Sequence, residues 1–390
     1  MTNASLLYFD NNATTAVDER VLEAMLPYFR ETYGNASSRH PQGEAAGAAV
    51  AAARREVANL VGAAAPDQVV FTSGGTESDG AGILAAWSER PPGADTILVS
   101  AVEHPAVLAP AERVANVERV AVDANGRLDV EAALRRIEAG GIALVSAMYA
   151  NNETGVVTPA ADIARLGAAA HAAGAALQVD AVQAIGKIPV DFRALGADFL
   201  SLSAHKFHGP KGVGAWIVAT ERFPTVPALV AGGSQEAARR GGTLNVPGIV
   251  GLGAAARLAR EAASDCVTEP RVAALRDAFE ARVLAQFPGT RVIGAASPRL
   301  PNTSNLCFAE LDGEALLMAL AASGICASMG AACSATRRTA SHVLLAYGLS
   351  AEEAARCLRF SFSRDTTEAE IEQGLDQLAL LIAALAPTAR

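Results

Sequence analysis

Residues 198–212 read DFLSLSAHKFHGPKG, an apolar strand-like run that ends in a small polar turn and a Gly/Pro-rich loop. The turn places a hydroxyl, an imidazole and an amine close together at Ser203, His205 and Lys206. A lysine at the end of a buried strand loses part of its hydration, which lowers the pKa of its amine and favours Schiff-base formation. The alternative is a surface lysine after a strand, and this stretch taken alone favours that alternative.

A second predicted strand, LQVDAVQ at residues 177–183, ends at Asp180, with Gln183 three residues further on. A carboxylate at one strand end and a lysine at the next suit a pyridoxal phosphate (PLP) site. The carboxylate keeps the pyridine nitrogen protonated, which makes the ring an electron sink. Asp180 could instead cap the following helix, and alone this second interpretation is favoured.

Residues 69–78, VVFTSGGTES, predict a strand, a glycine turn and the start of a helix. Free backbone N–H groups and the positive end of the helix dipole attract phosphate at such a point. Ser73 and Thr76 offer hydroxyls to the same anion. The segment lacks the Gly-Lys-Ser/Thr ending of a nucleotide P-loop, which argues against an NTPase.

His104 follows a predicted strand at residues 95–100. Its imidazole is planar, so it can lie against a ring, and it can transfer protons near neutral pH. His205 and His208 do not predict a metal site, because no helix is expected across Gly209-Pro210 and no cysteine pair is nearby.

Together these segments resemble the cysteine desulfurases of the NifS/IscS type, which are fold-type I PLP enzymes of the class V aminotransferase group. The resemblance extends from residue 8 to about residue 364. Further motifs that carry it are YFDNNATT at 8–15, NNE at 151–153, RGGT at 240–243 and GAAC at 330–333. The resemblance implies an α/β fold with a mostly parallel central sheet, helices on both faces and a smaller α/β C-terminal domain.

The resemblance also implies how PLP is held. Lys206 forms the Schiff base, Asp180 pairs with the pyridinium nitrogen, and His104 stacks on the ring and takes part in catalysis. The phosphate contacts are Gly75, Thr76, Ser203 and His205, with Thr243 reaching the phosphate from the neighbouring subunit of a homodimer.

The remaining implied roles concern the ring hydroxyl and the substrate. Gln183 approaches the ring hydroxyl, and Asn152 lies between the ring and the substrate carboxylate. Arg359 is the main clamp on that carboxylate, because a planar guanidinium binds a carboxylate through two hydrogen bonds. The alternative for Arg359 is a surface ion pair, which its position between Leu358 and Phe360 disfavours.

Cys333 lies in SMGAACSAT at residues 328–336, a run of small residues that packs poorly. Such a loop places a cysteine to move and react, and Arg337 and Arg338 would favour its thiolate. The resemblance implies that Cys333 takes the sulfur of L-cysteine as a persulfide, releases L-alanine and supplies iron–sulfur cluster or thio-cofactor assembly. The chain departs from the family at Ala331, where serine is common, and at Arg337-Arg338, where an acidic stretch is common.

The implied partners are L-cysteine and a sulfur-acceptor or iron–sulfur scaffold protein. No resident metal is expected, although Cys333 could contact a nascent iron–sulfur cluster during transfer. A selenocysteine lyase or an aminotransferase of the same fold is the alternative activity. A third alternative, a non-catalytic interaction subunit, is disfavoured by the complete set of site residues.

The composition of the chain argues against nucleic-acid-binding, secreted and membrane proteins. The net charge of −9 disfavours a nucleic-acid partner. Five cysteines without CxxC spacing predict reduced thiols in a cytoplasmic protein. Residues 1–7 do not resemble a signal peptide, and the longest apolar runs are too short to cross a bilayer, so no membrane association is expected.

Strands and helices alternate from about residue 67 to 219, which predicts a mostly parallel sheet. We expect a large PLP-binding domain at 16–255 and a small domain formed by 1–15 and 256–390, which carries the reactive-cysteine loop. Helices are predicted at 43–61, 271–286, 313–323 and from 368, and strands at 290–293 and 303–308. Arg54 and Arg55 are expected on the polar side of the first of these helices.

Overall fold

The computed structural model describes residues 6–265, 268–309, 311–329 and 340–385. Cys333 and the loop departures at Ala331, Arg337 and Arg338 lie outside these residues. Among the described residues, none of the helices is both long enough and apolar enough to cross a membrane.

A seven-stranded sheet forms the centre of the described fold, in the order β2-β8-β7-β6-β5-β3-β4. Its strands are β2 (Val69–Thr72), β3 (Thr96–Ser100), β4 (Asn116–Val120), β5 (Ile142–Met148), β6 (Ala176–Asp180), β7 (Phe199–Ser203) and β8 (Gly214–Val218). Strands β4, β3, β5, β6 and β7 pair in parallel, and β8 is antiparallel to both of its neighbours. The predicted mostly parallel α/β sheet is confirmed.

Helices cover both faces of this sheet. The first half of the chain contributes α1 (Glu19–Met25), α2 (Pro27–Arg30), α3 (Pro41–Val61), α4 (Gly75–Ser88), α5 (Pro105–Val114), α6 (Val130–Glu138) and α7 (Ala160–Ala172), and α8 spans Val246–Ser264. Alternate strand residues face opposite sides. Thus Val69 and Phe71 of β2 join the core with α3 and α8, while Val70 joins the core with α4 and α5.

A second apolar core lies in the C-terminal part of the chain, around Phe279, Phe308, Phe360 and Phe362. The elements of this part of the chain are α9 (Thr268–Gln286), β9 (Arg291–Val292), β10 (Thr303–Cys307), α10 (Gly313–Ala322), β11 (Ile325–Cys326), α11 (His342–Ala346), α12 (Ala351–Ala354), β12 (Cys357–Ser361) and α13 (Glu368–Leu385). The short helices α11 and α12 contribute to a separate apolar cluster with Val102 and Val156. The N-terminal strand β1 (Leu7–Tyr8) pairs in parallel with β11, so the start of the chain packs with its C-terminal part, as expected.

The sequence predicts Arg54 on the polar side of α3, and the structure buries much of its side chain there against a distant loop. Arg54 is half-buried, its guanidinium pairs with the buried carboxylate of Glu236 at 2.5 Å, and it lies 4.7 Å from the Phe71 ring centroid. Arg55 is exposed. A long side chain on the edge of an apolar helix face can bury its stem when a distant loop supplies a carboxylate, which helix periodicity does not show.

Candidate active site

The predicted strand ends meet at one edge of the central sheet. Asp180 ends β6 and Ser203 ends β7, and Asp180 pairs with Ser201 across these parallel strands. Strand β8 lies between β7 and β2, and Gly214 pairs with both Ser203 and Thr72. Because β8 is antiparallel to both, β2 and β7 end at the same edge, where α/β proteins bind their ligands.

A cavity of about 540 Å³ opens at this edge, beside the N-terminus of α4. The turn before it is tight: Gly74 has φ 155°, and a Cβ on Gly75 would lie 2.7 Å from Val182 Cγ2. The cavity is lined by Ala13, Thr14, Ser73, Gly74, Gly75, Thr76, Glu77, Ser203, His205, Lys211 and Gly212. It therefore combines free helix N–H groups, hydroxyls and one lysine, which is the chemistry of a phosphate site.

Lys206 ends a short 3-10 turn that directly follows β7. Its Nζ donates hydrogen bonds to the carbonyl oxygens of Asn12, at 2.7 Å, and Ala13, at 2.9 Å. The preceding His205 contacts Thr14 Oγ1 through Nδ1 at 3.1 Å. Burial and the nearby Lys206, Lys211 and Lys187 lower the pKa of His205 to about 4, so this imidazole is neutral near pH 7.

Asp180 is buried, and its Oδ1 accepts a hydrogen bond from Val182 N at 2.9 Å. This contact closes a local turn and is not a helix cap, because the described residues between β6 and β7 form no helix. Burial raises the pKa of Asp180 to about 6, although the Val182 N–H and Lys206 act in the opposite direction. Burial followed by the neighbouring Asp180 raises the pKa values of Asp79 and Glu103 well above their usual range. The positive charge of Lys206 lowers the pKa of Asp180 but is not among the causes of the shifts of Asp79 and Glu103. Asp180 is therefore the most readily ionised of the three carboxyl groups.

His104 is the N-cap of α5, where its Nδ1 accepts a hydrogen bond from Ala106 N at 3.1 Å. The proton of the neutral ring is therefore on Nε2. Burial, then the charges of Lys206 and His342, lower the pKa of His104 to about 4. A neutral imidazole at this strand end can lie against an aromatic ring without a charge.

Asn12 connects the candidate residues, and the sequence motifs did not single it out. Its carbonyl oxygen accepts from Gln183 Nε2 at 2.9 Å as well as from Lys206. Its side-chain amide donates to Asn152 O at 3.2 Å and to Thr303 Oγ1 at 2.9 Å. Only its place within the resembling segment at 8–15 pointed to the site.

Arg359 is almost completely buried in β12, at 2% exposure. Its guanidinium donates to Asn152 O at 2.9 Å and to Asp10 Oδ1 at 2.7 Å. The surface ion pair is therefore excluded, although a buried pair with Asp10 exists. The Nε of Arg359 has no hydrogen-bond partner among the described residues, and a buried unsatisfied donor is expected to have one in the functional complex.

Thr243 is not brought to the cavity by this single chain. The residue is exposed and does not line the cavity, and it follows Gly242, whose φ is 102°. The nearby Arg240 pairs with Glu77 of α4 at 2.8 Å, which places the RGGT segment beside the phosphate turn. The role of Thr243 in a neighbouring subunit thus stays a prediction.

The fold and this edge of the sheet define an α/β enzyme of the class V aminotransferase family, to which the chain belongs: the family model Aminotransferase class-V matches residues 7–373. A cysteine desulfurase of Gluconacetobacter diazotrophicus is 46% identical over 97% of this chain and 94% of its own length. The cysteine desulfurase NifS of Azotobacter vinelandii is 43% identical over 97% and 93%. A solved structure described as a NifS-like protein aligns with a TM-score of 0.88 and 34% identity, covering 97% of this chain and 100% of that chain.

The enzymes of this family use PLP, and the site's residues fit that group. The cavity beside α4 offers N–H groups and hydroxyls for a phosphate, and glycines at 74 and 75 leave the turn without side chains. Asp180 and Lys206 approach from neighbouring strand ends, as the ring nitrogen and the aldehyde of PLP require. The buried Asp180 carboxyl, with a raised pKa, is the kind of group that a pyridinium partner would stabilise.

We predict that Asp180→Asn stabilises the protein from which the cofactor has been removed. Because the pKa of Asp180 is raised in the folded protein, its protonation stabilises the fold. This stabilisation is complete below about pH 4 and is lost as the pH rises through about 6. Wild type and variant should therefore unfold with similar free energies at pH 4, and the variant should gain about 3 kcal/mol by pH 7. Denaturant unfolding at both pH values tests this. Equal stability at pH 7 would contradict it, and Asp162→Asn, at a half-buried position in the first turn of α7, is the control.

Proposed function

We propose that this chain is a cysteine desulfurase, a PLP-dependent sulfurtransferase that converts L-cysteine to L-alanine and leaves the sulfur as a persulfide on Cys333. The observation that carries the PLP chemistry is the convergence of Lys206, Asp180 and the phosphate cavity at one sheet edge. The sulfur chemistry is supported by the relatives, which are named cysteine desulfurases and which align with nearly the whole chain. A further solved structure, SspA in complex with cysteine, has a TM-score of 0.78 at 30% identity and covers 92% of this chain.

The residues of the site have separate roles. When bound, PLP supplies the electron sink that stabilises the electron pair formed at the α-carbon of the substrate. Gly75, Thr76, Ser203 and His205 would hold the phosphate, and Asp180 would hold the proton on the ring nitrogen. Lys206 would bind the cofactor through its amine, and the same amine would accept the α-proton of the substrate.

The substrate is held and attacked by other groups. Arg359 and Asn152 would bind its carboxylate. His104, with its proton on Nε2, would lie against the ring and transfer protons. The Cys333 thiolate attacks the substrate sulfur, so that an S–S bond forms and the C–S bond breaks. The electron pair of that bond stays with carbon, which is protonated to give alanine, and the persulfide is ready for an acceptor.

The function is tested by incubating the PLP-loaded protein with L-cysteine and a thiol reductant. Alanine and sulfide should form in equal amounts over many turnovers. Formation of a 2-oxo acid instead of alanine would indicate an aminotransferase, and turnover with selenocysteine alone would indicate a selenocysteine lyase. Either result would overturn the desulfurase assignment.

We also propose the domain division, the sulfur acceptor and the cellular location of the protein. Residues 16–255 form the cofactor-binding domain, and residues 1–15 with 256–390 form the smaller domain, a division supported by the two apolar cores. The sulfur passes to an acceptor or iron–sulfur scaffold protein. A cytoplasmic location is supported by the free thiols of Cys307, Cys326 and Cys357.

We predict a homodimer in which Thr243 completes the phosphate site of the partner. Sedimentation should give about twice the chain mass of 39.9 kDa. Thr243→Val should weaken PLP binding about tenfold, because it removes one hydrogen bond to a charged group. Thr225→Val, at an exposed position in the loop after β8, is the control and should leave PLP affinity unchanged. A fully active monomer would refute the composite site.

A further inference from the structure

A second lysine lies beside Gln183 and Lys206. Lys187 Nζ donates to Gln183 Oε1 at 2.5 Å and to Asn12 Oδ1 at 3.3 Å. The nitrogen of the same Gln183 amide donates to Asn12 O at 2.9 Å, and that carbonyl also accepts from Lys206 Nζ. Both amines are thus bound to Asn12, and Lys187 contacts the accepting end of the Gln183 amide.

This contact determines which way the Gln183 amide faces. One end of a primary amide only accepts hydrogen bonds and the other only donates. If the amide were reversed, its oxygen would face the Asn12 carbonyl oxygen, so the hydrogen bond to Asn12 would be lost whatever the charge of Lys187. A protonated Lys187 amine would lose its acceptor as well. In the observed orientation Nε2 has a second hydrogen beyond its bond to Asn12, which is available to an oxygen of a bound cofactor.

The choice of lysine at this position is unusual in this chain. Of 32 Lys and Arg residues, only three, Lys187, Lys206 and Lys211, are lysines. Lys187 and Lys206 line one cavity of about 250 Å³, and Lys211 lines the phosphate cavity. Arginine has a larger planar head and stays charged, whereas a lysine amine is compact and can lose its proton on burial. Burial, then the charges of Lys206 and Arg359, lower the pKa of Lys187 well below its usual range.

We infer that Lys187 is a positioning residue for the cofactor site, holding the Gln183 amide with its nitrogen toward the ring hydroxyl of PLP. The inference rests on the proposed PLP chemistry and adds a residue to it. Gln183 would then always present a donor to the ring oxygen, which lowers the proton affinity of the adjacent Schiff-base nitrogen. The charged and titratable groups around this pair are Asp180, His205, Lys206 and Arg359, with His208, Arg260, Glu269 and Arg364 in the wall of the shared cavity.

The test is a pH titration of the visible absorbance of the PLP-loaded protein, together with the PLP dissociation constant. Lys187→Met should raise the midpoint by about one pH unit and weaken PLP binding about tenfold, because Gln183 can then turn its oxygen toward the ring. In a Gln183→Ala background the same substitution should change PLP binding less than about twofold, since Lys187 acts through Gln183. Arg165→Met, an exposed cation on α7, is the matched control and should leave both quantities unchanged.

Two results would overturn the inference. One is a Lys187→Met protein with the wild-type midpoint and PLP affinity, and the other is an undiminished effect in the Gln183→Ala background. Lys187→Ala provides the same readouts if the Met variant does not fold. A wild-type protein that takes up no PLP would overturn the proposed function and this inference together, whereas a normal wild-type titration with unaffected variants overturns this inference alone.

Discussion

Cys333→Ala is expected to reduce multiple-turnover sulfide release to below about 1% of wild type, because no nucleophile then remains to take the sulfur. Binding of PLP and L-cysteine should persist, since neither step uses the thiol. Alanine formation should fall with sulfide formation, because both products come from the same C–S cleavage. The measurement is sulfide and alanine release over many turnovers, alongside the absorbance change on adding L-cysteine.

The matched control is Cys326→Ala. Cys326 lies in β11 and pairs with Tyr8 of β1, and burial followed by the nearby Asp10 raises the pKa of its thiol. A cysteine held in a strand as a neutral thiol is a poor nucleophile, so turnover should stay near wild type. Sustained turnover by Cys333→Ala would refute the persulfide mechanism. Loss of turnover in Cys326→Ala alone would show that Cys326, and not Cys333, takes the sulfur.

Lys206→Ala is expected to abolish both covalent attachment of PLP and turnover. The variant removes the amine that directly follows β7, which is the proposed acceptor of the α-proton. Borohydride should no longer fix the cofactor on the protein, and α-proton exchange with solvent should fall by at least about 10³-fold. Absorbance after borohydride treatment and dialysis, with deuterium exchange followed by NMR, provides the two measurements.

The control for this loss is Lys211→Ala. Lys211 lines the phosphate cavity five residues along the loop, so its loss should weaken PLP binding but leave the borohydride-fixed cofactor detectable. If Lys206→Ala still carried a borohydride-fixed cofactor, another amine would be the attachment point. Lys187, which lines the same cavity as Lys206, would then be the first to test.

Much of the site was predictable because short segments contain its chemistry. Asp180, Ser203 and Lys206 each follow an apolar run, and parallel strands necessarily bring their carboxyl ends to one edge. The glycine turn before α4 predicted an anion site from local backbone geometry alone. His104 could be predicted from its place at a strand end, although its proton position depends on the Ala106 N–H.

Other features depend on contacts between residues far apart in the chain. Asp10 binds Arg359, Asn12 joins Lys206 to Asn152, and Glu236 accepts the guanidinium of Arg54. None of these pairs follows a helical or strand period, so no local pattern predicts them.

The class of fold and the order of the strand-end groups were thus predictable from the amino-acid sequence, because hydrophobic periodicity and turn residues are properties of neighbouring residues. The roles of these groups in PLP chemistry came from the resemblance to a known family. The protonation of the site could be read only from the folded chain, in which His205 is neutral, the pKa of Asp180 is raised and the pKa of Lys187 is lowered. Protonation depends on burial and on charges brought together from distant segments, and both exist only after the chain has folded.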